Sequence, residues 1–194
     1  NISQILLTLD DTEERRRSIN AKRTFENLSK INYIPIVNEN DTIATSEIKY
    51  GDNDRLASRV AQITNADTLI LLSDVDGLFT KNPKIFKDAK LIKKVNDLDK
   101  DVKNIYIKGL TQFGKGGMNT KLEAAKICNL AGCNMIIANG LYFNPIEQIE
   151  KKNKCTWFIS KISKLQARKR WIISSISPKG EVIIDEGAKK ALVN

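Results

Sequence analysis

The spacing of apolar and polar positions predicts an α/β protein. Gln4 to Thr8 reads as a short buried strand. Asp10 to Leu28 is highly charged, with Asp11, Glu13 and Glu14 ahead of Arg15, Arg16 and Arg17, the polarity a helix dipole favours. Its apolar face is thin (Ile19, Phe25, Leu28), so a helix on the surface or at a subunit contact is expected. Ile34 to Val37, with Pro35 near its start, is a second strand. Leu56, Val60 and Ile63 share one helical face, with Ala57 and Ala61 beside it, and Asp52 or Asn53 stands where an N-cap is wanted. Thr68 to Leu72 is an unbroken apolar run, the pattern of a fully buried strand. Residues 84–108 are lysine-rich and define no element. A helix starts at Met118, with Leu122, Ala125 and Cys128 at helical spacing, and Gly132 suits its C′ position. Asn134 to Asn139 is a strand, and Asn144-Pro145 opens a short helix. Cys155 to Ile159, Arg170 to Ile173 and Val182 to Ile184 read as strands, with a closing helix after Asp185. Strands alternating with helices indicate a largely parallel sheet.

Polar clusters punctuate this pattern. Asn38-Glu39-Asn40-Asp41-Thr42 follows one strand, and Ser73-Asp74-Val75-Asp76-Gly77 follows another. In open α/β sheets, ligands sit at such carboxyl ends. Gly51-Asp52-Asn53-Asp54 opens a helix; it lacks the alternating acids and closing Glu of a calcium loop. Gly114, Gly116 and Gly117 lie in a loop that runs straight into the helix from Met118. Unpaired N–H groups at a helix start, backed by Lys121, make a phosphate site. Gly109 to Lys115 also matches the first part of a P-loop, but Gly116 stands where Ser or Thr must hold Mg²⁺. That reading fails.

Composition narrows the chemistry. The 194 residues carry a net charge of +9, with lysines spread along the chain rather than focused in a patch. Nucleic acid is therefore not the expected partner. No apolar run is long enough to span a membrane. Three cysteines without metal spacing read as reduced thiols of a cytoplasmic protein. There is no histidine, which removes His-based triads. Phosphoryl transfer tolerates that absence, because it depends on positioning and charge neutralisation. A carboxylate acceptor is ionised at neutral pH and needs no general base. The glycine-lysine loop would take a nucleoside triphosphate with Mg²⁺, and Lys121 would offset charge on the moving phosphoryl group. The Asp/Asn loops would take a polar acceptor that also bears an ammonium, with Asp41 or Asp54 accepting from the ammonium and Asn53 donating to a carboxylate.

Several stretches resemble the glutamate 5-kinases. Val37 to Thr45 with Ile48, Gly51-Asp52-Asn53-Asp54, and Ala167-Arg168-Lys169-Arg170-Trp171-Ile172 with Pro178, Gly180 and Asp185 to Ala188 are similar to that family. Leu72 to Thr80 and Gly114 to Lys121 are similar to the wider amino acid kinase superfamily. The resemblance implies a three-layer α/β/α sandwich around a mainly parallel sheet, and ATP- and Mg²⁺-dependent phosphorylation of the L-glutamate side chain in proline biosynthesis. It implies Asn38, Asp41 and Asn53 as glutamate-binding residues and Asp54 as the organiser of the site. Ser73, Asp74, Lys115, Gly116, Gly117, Met118, Asn119, Thr120 and Lys121 would line the ATP site, with Lys121 catalytic. A homo-oligomer inhibited by proline is expected. The family's opening strand, its glycine loop with a second lysine and the following glycine-serine segment have no counterpart here. Residues 1–194 are thus expected to be one amino-terminally truncated kinase domain without a PUA domain. The alternatives are an aspartate- or uridylate-type kinase, or a non-catalytic regulatory fragment.

Overall fold

The computed structural model describes residues 1–42, 52–98, 100, 117–152 and 154–167. The chain runs β1 (Ile2–Leu7), α1 (Leu9–Glu13), α2 (Arg15–Lys30), β2 (Ile34–Glu39), α3 (Asp52–Ile63) and β3 (Thr68–Ser73). It continues through β4 (Lys94–Val95), α4 (Met118–Leu130), β5 (Asn134–Asn139), α5 (Pro145–Lys152) and β6 (Cys155–Phe158). The strands expected at 170–173 and 182–184 and the closing helix lie outside the described residues.

β1 and β2 pair in parallel, Ile2 opposite Ile34. The remaining strands form a second sheet in the order β3-β5-β6-β4. β3 and β5 are parallel, β5 and β6 antiparallel, and β6 and β4 parallel again. Alternation along these strands sorts their side chains to two faces. Leu71, Met135, Ile137 and Phe158 join Leu122, Ala124, Ala125 and Cys128 of α4 and Ala61 of α3 in the main core. Ile136, Ala138 and Cys155 meet Ile149 of α5 on the opposite face. Helices therefore cover both faces of the larger sheet, giving the three layers expected.

Helix α3 belongs to two cores at once. Ala57 and Ala61 face the main core, whereas Leu56, Val60 and Ile63 pack with Leu7, Phe25 and Val37 beneath the small sheet. Small alanines on one side and larger aliphatics on the other let one helix join the two sheets. Glu13 of α1 adds ion pairs to Arg55 and Arg59 of α3.

Several expectations need correction. The charged helix is two helices, because Glu14 is extended (φ −71°, ψ 122°). Thr8 and Asp11 close a capping box at the start of α1, and Arg17 of α2 pairs with both Asp11 and Glu14 across the break. Thr68 to Leu72 is not fully buried. Only Leu71 is, and Leu72 is 49% exposed, because β3 is an edge strand among the described residues. β1 likewise buries only Leu7 fully. β5, with neighbours on both sides, is the buried strand. Asp52 and Asn53 lie inside the first turn of α3 rather than ahead of it. Within residues 84–108, Lys94–Val95 form β4 and Leu91 bridges Phe79. Gly132, at φ 73°, takes the left-handed position after α4 as expected.

Close approach of α3 and α4 through small residues is testable. Ala125 is 1% exposed. Ala125→Leu should overpack the shared core and cost about 1–3 kcal/mol, read as a lower urea midpoint with an unchanged slope.

Candidate active site

The site forms where two helices begin. α4 starts at Met118 behind Gly117, whose φ of 25° and ψ of −48° suit a residue without Cβ. Gly117 provides no side-chain cap, and the first turn of α4 carries no acid. The first-turn N–H groups thus offer an anion the partial positive charge of the helix end. Lys121, the fourth residue of α4, adds a full charge there.

Asp54, the third residue of α3, fastens this region. Its Oδ2 accepts from Lys121 Nζ at 2.9 Å and from Thr120 Oγ1 at 2.8 Å. The Thr120 hydroxyl is also 2.9 Å from the Gly117 carbonyl. It has one proton, and the carboxylate is the stronger acceptor. The side chains of Lys121 and Asp54 are only 13% and 17% exposed. The pair therefore fixes the ammonium's direction while leaving it within reach of solvent or a ligand.

A second group sits at the carboxyl ends of β3 and β5, which the Gly140 N–H ties together by donating to the Ser73 carbonyl at 2.8 Å. Ser73 Oγ donates to Asp74 Oδ1 at 3.3 Å, and Lys84 Nζ to Asp74 Oδ2 at 3.2 Å. The hydrogen bond and charge of Lys84 lower the Asp74 pKa below the ordinary carboxylate value. Asn139 Nδ2 donates to Asp76 Oδ1 at 3.1 Å, and Asn139 Oδ1 accepts from the Leu141 N–H at 2.9 Å. This link fixes the loop after β3 to the end of β5. Sequence reasoning placed Asp76 in the polar cluster after β3 but missed its partner Asn139, and it missed Lys84, which stands in no motif.

The expected acceptor residues lie nearer the small sheet. Asn38 and Asn53 are exposed, and both line a cleft of about 370 Å³ bounded by Val37, Leu56, Ala57 and Leu69. Asp41 is exposed beyond β2. The structure thus brings Asp54, Thr120 and Lys121 together, Asn38 with Asn53, and Ser73 with Asp74. Met118 packs partly against the main core, so its side chain serves packing, and Asn119 is exposed. Lys115 and Gly116 lie outside the described residues.

A model of the amino acid kinase family matches residues 1–139. The chain belongs to that family. It is 70% identical over its full length to the glutamate 5-kinase of Pelagibacter ubique, covering 53% of that protein. It is 50% identical over 97% of its length to the glutamate 5-kinase of Agrobacterium fabrum, covering 49% of that one. The chain thus spans about half the length of the curated relatives it matches. Among solved structures, the UMP kinase of Ureaplasma parvum superposes with a TM-score of 0.52 at 18% identity, covering 82% of this chain and 61% of that one. The carbamate kinase of Giardia lamblia bound to AMP-PNP gives 0.53 at 21% identity, covering 72% and 49%. These likenesses support the amino acid kinase fold. No helix among the described residues is long and apolar enough to cross a membrane.

The lowered pKa of Asp74 gives a pH test. Its folded pKa lies below the unfolded value, so whatever stability it adds is present above the unfolded pKa and is lost as pH falls through the folded one. Lys84→Ala should raise the Asp74 pKa toward the ordinary carboxylate value, measured by NMR titration of its carboxyl carbon. The effect on overall stability should be small, because both side chains are largely exposed.

Proposed function

We propose that this chain carries the phosphoryl-transfer site of a glutamate 5-kinase, which uses ATP to phosphorylate the side-chain carboxylate of L-glutamate in proline biosynthesis. The Asp54–Thr120–Lys121 cluster, at the meeting of two helix N-termini, carries the proposal. Asp54 aims the Lys121 ammonium, which lies beside the positive end of α4, where phosphate oxygens are favoured. As negative charge shifts during transfer, a fixed ammonium and fixed N–H dipoles stabilise it without reorganising. The acceptor carboxylate needs no deprotonation, which suits a chain without histidine. Relatives named glutamate 5-kinase at 70% and 50% identity support this acceptor over aspartate or a nucleoside monophosphate.

Asn38, Asp41 and Asn53 are assigned to glutamate: Asp41 to its ammonium, the two amides to its α-carboxylate. Ser73, Asp74 and the segment from Lys115 to Lys121 are assigned to ATP. Asp54 and Asp74 are each engaged by a lysine. Mg²⁺ would be carried mainly on the nucleotide's phosphates, where it would neutralise their charge. We assign residues 1–194 to one kinase domain of a cytoplasmic homo-oligomer inhibited by proline.

The deciding experiment is ATP-dependent hydroxamate formation from L-glutamate and hydroxylamine. It is run on this chain and on a chimera completed with the remaining sequence of the Pelagibacter ubique relative. Activity in the chimera is expected; a folded chimera inert toward glutamate but active on another acceptor would replace the substrate assignment. Within an active chain, Lys121→Ala should lower kcat about 100-fold or more with the circular dichroism spectrum unchanged; retained turnover would remove its catalytic role. Asp41→Ala should raise the KM for glutamate about tenfold or more while leaving that for ATP within about twofold. Equal effects on both would contradict the division of sites.

A further inference from the structure

From the geometry of the β3–β4 connection, we infer that Thr156 is a positioning residue for the nucleotide site, acting through a hairpin clamped at its base. The inference rests on the assignment of Ser73 and Asp74 to ATP.

Thr156 of β6 is fully buried, 0% exposed. Its Oγ1 accepts from the Leu78 N–H at 2.8 Å and donates to the Ile92 carbonyl at 2.6 Å. Leu78 and Ile92 also bond to each other, the Ile92 N–H donating to the Leu78 carbonyl at 2.8 Å. One hydroxyl thus uses its donor and an acceptor to lock both ends of the 78–92 excursion to the sheet. The excursion is further laced by the Thr80 N–H to the Lys90 carbonyl at 2.9 Å and by the Phe79–Leu91 bridge.

The chain must come very close for this. A Cβ on Gly77 would lie 2.4 Å from Thr156 Oγ1 and 2.9 Å from its backbone nitrogen. Only glycine permits the approach. On the far side, the excursion carries Lys84, which holds Asp74 Oδ2 at 3.2 Å. Thr156 therefore sets where the hairpin leaves the sheet, and the hairpin sets the cation that orients Asp74.

The test is affinity for the non-hydrolysable ATP analogue AMP-PNP, by calorimetry on the completed chimera. Thr156→Val removes both bonds and leaves the Leu78 N–H buried without a partner; it should weaken binding about tenfold while glutamate affinity stays within about twofold. Thr156→Ser should restore binding, and hydrogen exchange at the Leu78 amide should rise in the valine variant alone. If Thr156→Val fails to fold, Gly77→Ala attacks the same contact from the loop and should weaken AMP-PNP selectively. Unchanged AMP-PNP affinity in a folded variant, or equal loss for both ligands, overturns the inference. Ser73→Ala and Asp74→Ala are measured in parallel. If neither weakens AMP-PNP, the nucleotide assignment itself fails; if they do and Thr156→Val does not, only the positioning role falls.

Discussion

The contact on which the site depends is the acceptance of two hydrogen bonds by Asp54 Oδ2, one from Lys121 and one from Thr120. It joins the start of α3 to the start of α4, across 67 residues of chain. Each helix end alone is a weak anion site. Brought together, they place a directed ammonium beside the positive end of a helix, with the counter-charge built in. A free lysine there would be flexible and strongly hydrated. Asp54 restricts it and partly desolvates it, which raises the effect of its charge on a nearby phosphate.

That contact needs α3 to be held on two sides. Its alanine face lies against the larger sheet's core and its aliphatic face beneath the small sheet. A helix with one apolar stripe would be free to roll on a single sheet, and Asp54 would roll with it. Two cores fix its rotation. The small side chains also let α4 come near enough for a lysine and an aspartate one turn into each helix to meet. Packing at Ala61 and Ala125 is thus a condition for the contact between Asp54 and Lys121, although neither alanine is polar.

Much of this was legible in the sequence, and the limits have physical causes. Strand and helix order followed from periodicity, since β5, α3 and α4 each carry a strong apolar pattern. The cluster of Asp54, Thr120 and Lys121 could be named residue by residue, because both loops are dense in residues that bind phosphate or cap helices. The pairing itself was not legible: nothing local to residue 54 says that residue 121 is its partner. The burial of β3 was overestimated because an apolar run does not state how many neighbours a strand has. The break at Glu14 was hidden because charge polarity continues across it. Thr156 and Lys84 stayed invisible for a related reason. A buried threonine in a strand is ordinary for β-propensity, and a lysine in a lysine-rich stretch carries no mark of its ion pair.

The absence of histidine makes sense against this site. Phosphoryl transfer to a carboxylate requires no proton removal, so it does not call for a histidine. The described groups that converge here are lysine, aspartate, threonine and backbone N–H. Such groups can bind, align and neutralise. Transfer of a phosphoryl group to an already ionised carboxylate asks for those three things and nothing more. The chemistry proposed is therefore of a kind that the available side chains can perform.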